Sequence, residues 1–84
     1  MNYFVYILRC ADDTLYTGIT TDIDRRVGEH NGTGSLGAKY TRVRRPVVVV
    51  YTAQFSNRSE ASREEARIKK MTREGKEAFI SDSE

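Results

Sequence analysis

Tyr6, Tyr16, Arg26, His30 and Glu65 are the residues of this 84-residue chain whose types and spacing could do chemistry together. Tyr6 closes the tripeptide Phe4-Val5-Tyr6, and Tyr16 opens Tyr16-Thr17-Gly18 across a short polar stretch. Arg26 follows Gly18 by eight residues, and His30, the single histidine, follows Arg26 by four. Phenol, guanidinium, imidazole and carboxylate are the groups needed to hydrolyse a phosphodiester with one divalent metal. Each has a plainer use as well: tyrosines pack strands, and a lone histidine is commonly a surface or structural residue.

These side chains need elements to hold them. Asn2 to Arg9 alternates β-branched and aromatic residues and reads as a strand. Ala11 to Thr14 reads as a turn, because aspartates bond their own backbone. Leu15 to Ile19 returns as a second strand, so the two form a hairpin. An odd-numbered loop would place Tyr6 and Tyr16 on one face, and the sequence leaves that register open. Thr21 to Asp24 supplies a cap and acids for a helix start. On that helix Ile23 and Val27 give a narrow apolar stripe, Arg26 and His30 stack one turn apart, and Arg25 points elsewhere. Asn31-Gly32-Thr33-Gly34 ends the helix.

Ser35 to Arg45 is a basic segment with no clear period, read as a short helix and then a loop. Pro46 then starts a strand, and the unbroken run Val47 to Tyr51 suggests cover on both faces, hence helices on both sides of a small sheet. Asn57 to Glu60 is a capping box for a long helix whose apolar stripe is Ala61, Ile68 and Met71. Thr72 can cap a short last helix holding Ala78, Phe79 and Ile80, followed by a polar, frayed end from Ser81 to Glu84.

Glu65 falls inside the apolar stripe of the long helix, four residues after Ala61 and three before Ile68. A carboxylate there must be ion-paired, to a base such as Arg26, or metal-bound. One carboxylate suits Mg²⁺ or Mn²⁺, which keep most of their waters and take further oxygens from a phosphate. Cys10 and His30 supply too few donors for zinc. Arg26 suits a bidentate grip on a phosphate. Gly18 leaves room where a phosphate or Arg26 comes close to the strand.

The net charge is +2, and residues 30–59 carry all of the excess, with Lys39, Arg42, Arg44, Arg45 and Arg58 and no acid. That segment is either a phosphate-backbone footprint or a solvated basic loop. Length predicts one domain over 1–84, with its core from about 3 to 80. The lone Cys10 points to a reducing, cytoplasmic setting, and no apolar run is long enough for a membrane span.

Together these residues resemble the GIY-YIG nuclease family. Phe4-Val5-Tyr6 stands where GIY would be and Tyr16-Thr17-Gly18 where YIG would be. Arg26, His30 and Glu65 match the family's arginine, its histidine and its metal-binding glutamate. The likeness runs from about Tyr3 to Lys70, and is nearest to small stand-alone bacterial members. It extends to the N-terminal domain of a bacterial excinuclease and to structure-specific endonucleases. The first motif keeps only its tyrosine, and no asparagine follows Asn57, where many members carry one beyond the metal helix.

The resemblance implies an α+β fold, a three-stranded antiparallel sheet flanked by helices. It implies an endonuclease using Mg²⁺ or Mn²⁺ on Glu65, with Tyr6 assisting the water, His30 behind it and Tyr16 orienting. Arg26 would stabilise the charge growing on the phosphate. The expected partner is nucleic acid, DNA before RNA and branched or damaged DNA in particular, held weakly and salt-sensitively by Lys39, Arg42, Arg44 and Arg45. A protein partner would supply specificity. The alternatives are a nucleic-acid-binding module that cuts little or nothing, and a structural protein without a nucleic-acid role.

Overall fold

The computed structural model describes residues 2–32 and 37–83. In order, the elements are β1 (Tyr3–Cys10), β2 (Leu15–Thr20), α1 (Ile23–Asn31), α2 (Lys39–Arg42), β3 (Val47–Phe55), α3 (Arg58–Lys69) and α4 (Arg73–Asp82). The three strands form one antiparallel sheet in the order β2-β1-β3. The fold is α+β, as the residue pattern and the resemblance both imply.

The hairpin fixes the register that the sequence left open. Cys10 N–H donates to the Thr14 carbonyl at 2.8 Å and Asp13 N–H to the Cys10 carbonyl at 2.9 Å, closing a short loop. Asp13 sits at φ 68°, in the left-handed region that aspartate tolerates, and the Asp12 carboxylate accepts the Thr14 hydroxyl at 2.6 Å. The resulting register pairs Tyr6 with Gly18 and Leu8 with Tyr16, so all four share one face.

β1 is the strand covered on both sides. Val5 and Ile7 pack with Ala61 and Ile68 of α3 and Ile80 of α4, whereas Tyr6, Leu8 and Cys10 pack with Val47, Tyr16 and the α1 residues Ile23 and Val27. Helices on both faces are therefore found, but the doubly covered strand is β1 and not the valine-rich β3. β3 is an edge strand, with Val48 58 % and Val49 36 % exposed. Its apolar run misleads because it reads through a bulge. Ile7 pairs with Tyr51 and Leu8 with Val49, so Val50 is the extra residue and the alternation slips by one.

The helix starts follow their caps. Asp22 accepts the Arg25 N–H at 3.0 Å, Asn57 the Glu60 N–H at 2.9 Å and Thr72 the Gly75 N–H at 3.0 Å. α1 ends at Asn31, whose amide clamps β3 by donating to the Val47 carbonyl at 3.0 Å and accepting the Val47 N–H at 2.7 Å. Thr33, Gly34 and Ser35, part of the expected helix stop and basic segment, lie outside the described residues. α4 takes in Ser81 and Asp82, which were expected to fray, while Glu84 is not described. No helix among the described residues is long and apolar enough to cross a membrane.

Candidate active site

The face shared by β1 and β2 turns towards α1, and there the fold brings Tyr6, Tyr16, Arg26 and His30 together. Tyr6 is buried, and its ring centroid lies 6.5 Å from Tyr16 and 5.9 Å from His30. Tyr16 meets His30 edge-on at 5.3 Å. The Tyr6 hydroxyl lies 2.9 Å from His30 Nε2 and also accepts a hydrogen bond from the Arg26 guanidinium.

His30 is held from its far side as well. Its Nδ1 lies 2.7 Å from the Thr41 hydroxyl, which is also 3.0 Å from the Ala38 carbonyl, and the Ala38 N–H reaches Nδ1 at 3.4 Å. The two ring nitrogens thus divide their roles between Tyr6 on one side and Thr41 with Ala38 on the other. The result is a hydrogen-bonded chain from Tyr6 through His30 to Thr41 and Ala38.

Burial sets the proton affinities. His30 is 1 % exposed, and burial, with the Arg26 charge adding to it and Glu29 opposing, brings its pKa down to about 4. It is therefore neutral near pH 7. The Tyr6 phenol is pushed up by burial above all. Its hydrogen bond from Arg26 opposes this, the Tyr16 charge adds to the rise, the Arg26 charge lowers it, and the Glu65 charge raises it. Positive neighbours alone would lower the Tyr6 pKa, but desolvation outweighs them here.

Gly18 makes the geometry possible. The protein group that comes close there is Tyr6: a Cβ at position 18 would lie 2.5 Å from the Tyr6 hydroxyl oxygen. Tyr6 is buried and bonded to His30, so its ring cannot swing away cheaply. Gly18→Ala is expected to destabilise the fold by about 1–3 kcal/mol, the usual cost of overpacking. Thermal melts beside cutting assays should show a loss of cutting larger than the lost folded fraction explains, because the Tyr6 hydroxyl is what moves.

Glu65 lies partly open rather than buried, with its side chain 25 % exposed, and its ion pair is with Lys69 at 3.2 Å, not Arg26. Arg26 pairs instead with Glu29 at 2.8 Å. Among the described residues no group of three or more His, Cys, Asp and Glu side chains gathers for a metal. A single half-open carboxylate still fits a hard cation that keeps its waters and shares a phosphate oxygen.

The basic segment is less free than its composition suggested. Arg44 pairs with Asp12 at 3.0 Å and lies over the Tyr40 ring at 4.1 Å, and Arg45 Nε donates to the Arg42 carbonyl at 2.9 Å. Lys39 and Arg42 are exposed. Tyr40 in turn stacks on Tyr16 at 5.8 Å. The four-residue α2 thus braces the site through Tyr40 and Thr41. Neither residue, nor Glu29, stood out in the sequence, since so short a helix has no period to reveal which side chains turn inward.

A family model described as the GIY-YIG catalytic domain matches residues 2–78 of the chain. A UPF0213 protein of Desulfotalea psychrophila is 52 % identical over 82 residues, covering 98 % of this chain and 74 % of that protein. A UPF0213 protein of Halobacterium salinarum is 53 % identical over 78 residues, covering 93 % and 99 %. Among solved structures, the solution NMR structure of a UPF0213 protein from Bacillus halodurans is 47 % identical with a TM-score of 0.62, covering 96 % of this chain and 84 % of that one. The NMR structure of a protein from E. faecalis is 43 % identical with a TM-score of 0.66, covering 98 % and 85 %.

Proposed function

This chain belongs to the GIY-YIG catalytic-domain family, and on that premise we propose that it is an endonuclease hydrolysing phosphodiester bonds in nucleic acid, DNA before RNA. The observation that carries this is the Tyr6 hydroxyl, held between a guanidinium and the His30 Nε2 within reach of the Glu65 charge. A buried core tyrosine needs one hydrogen-bond partner; this one has two, both of them groups that handle charge or protons.

The roles we assign draw on this geometry. The scissile phosphate lies against Arg26, which balances the charge that grows on its oxygens during attack. Tyr6 accepts the proton of the attacking water as it hands its own to His30 Nε2. The net transfer is from water to imidazole, so no free phenolate has to form. His30 is neutral near pH 7 and so free to accept, and its pKa of about 4 makes it a weak base that gives the proton up again readily. For this transfer Nε2 is the unprotonated nitrogen, with the Thr41 hydroxyl accepting from Nδ1. Tyr16 shapes the cleft beside His30. Glu65 would hold Mg²⁺ or Mn²⁺, which when bound supplies positive charge to the phosphate and the leaving oxygen.

A second reading, a module that binds without cutting until a protein partner joins, draws on Glu29. That carboxylate already engages Arg26 at 2.8 Å, so a phosphate must compete with it. Supercoiled plasmid and labelled branched duplexes, incubated with Mg²⁺, with Mn²⁺ and with chelator, separate the two. Metal-dependent nicking is expected. Intact substrate after incubation with folded, DNA-binding protein would favour the binding module.

A further inference from the structure

A groove of about 340 Å³ opens beside the reacting centre, between α1, the end of β2 and the start of α3. Arg25, Arg26, Arg58, Glu29, Thr20 and Thr21 line it. Arg26 belongs both to this groove and to the contact with Tyr6, so a chain gripped at Arg26 continues into the groove. Three guanidiniums face one carboxylate, and Glu29 is shared between Arg26 at 2.8 Å and Arg25 at 3.8 Å.

Arg58 is the telling member. It is exposed, and among the described residues it makes no hydrogen bond or ion pair. It is also the first residue of α3, where a cation faces the positive end of the helix and is disfavoured. Folding gains nothing from a guanidinium placed there; an anion in the groove would. Apart from Tyr3 and Ile19 the walls carry hydroxyls, guanidiniums and one carboxylate, a lining that suits a sugar–phosphate backbone, with Tyr3 as the one ring against which a base could rest.

We propose that this groove seats the phosphates next to the scissile one on the same nucleic-acid strand, with Arg58 and Arg25 as their ligands. The proposal rests on the nuclease reading for its register and moves the main phosphate grip away from residues 39–45. There, Arg44 is committed to Asp12 and Tyr40, and Arg45 to the Arg42 carbonyl.

The test is binding, which does not require cutting. Fluorescence anisotropy of a labelled single-stranded and a labelled branched DNA, in EDTA over a range of salt, would be run on wild type, Arg58→Ala, Arg25→Ala and Lys39→Ala. Arg58→Ala and Arg25→Ala are expected to weaken binding about three- to tenfold each and to lower the salt slope by about one, uniformly over sequences. Lys39→Ala is expected to change both less. Unchanged affinity and slope in the first two variants would overturn the proposal. So would equal competition by a mononucleotide, which would make the groove a small-molecule phosphate site. No binding by folded wild type would overturn the groove and the nuclease together. Groove-dependent binding by a wild type that never cuts would sustain the groove and remove only the hydrolytic reading.

Discussion

Glu65→Gln is expected to lower metal-dependent cutting at least 10²- to 10³-fold, roughly the order lost with one preorganised electrostatic group. The fold should stay intact. The side chain is a quarter exposed and its ion pair is an i,i+4 contact with Lys69, the kind that contributes only about 0.3–0.5 kcal/mol. Glutamine keeps the shape and the hydrogen-bonding oxygen but removes the charge that a hard cation requires. Glu65 is also the carboxylate whose field reaches the Tyr6 phenol, so its place beside the proton path does not depend on any assumption about the ion. Nicking rates across Mg²⁺ and Mn²⁺ concentrations, beside melting curves for wild type, Glu65→Gln and Lys69→Ala, would check this. Lys69→Ala should cut normally. Cutting by Glu65→Gln within tenfold of wild type at saturating metal would remove Glu65 from the metal site.

Periodicity explains what could be read in advance and what could not. Tyr6, Tyr16, Arg26 and His30 converge because two local rules place them. An odd hairpin loop keeps the tyrosines on one face, and i,i+4 spacing stacks the arginine and histidine on one helix. The helical spacing is visible in residue types; the loop's parity, and with it the register, is not. The valines of β3 break the same logic, since a bulge at Val50 erases the alternation that reports burial. Partner choice is hidden for a different reason. Whether Glu65 meets Arg26 or Lys69, and whether Arg44 meets Asp12, depends on distances between elements that no sequence period encodes. The direction of the Tyr6 shift is equally hidden, because the sequence reveals nearby charges more readily than the depth of burial. Thr41 and Tyr40, on a helix of four residues, leave no signal at all.

Tyr6→Phe should reduce cutting by about 10²–10³-fold, the order expected for one positioned proton-transfer group, and the cause can be separated from damage to the fold. Loss of the hydroxyl leaves buried His30 Nε2 without its partner, which costs about 1–3 kcal/mol of stability. Melting curves measure that part directly. His30→Gln completes the separation. An amide oxygen can still accept the Tyr6 O–H bond but cannot take a proton, so cutting should fall while the Tyr6 position holds. Stability against pH gives a readout that a purely structural role for another residue would not move. His30 folds with a pKa of about 4, below its ordinary value of 6.5, so the native state prefers the neutral ring. Its contribution is fully present above about pH 6.5 and is lost as the pH falls towards 4, where the folded form also protonates. The loss should be on the order of 3 kcal/mol in wild type and absent in His30→Gln. Tyr16→Phe should cut more nearly like wild type, because the hydroxyl held between Arg26 and His30 is that of Tyr6. If Tyr16→Phe abolished cutting while Tyr6→Phe stayed within tenfold of wild type, proton transfer would belong to Tyr16, and the chain from Tyr6 to Thr41 would serve only to hold the core.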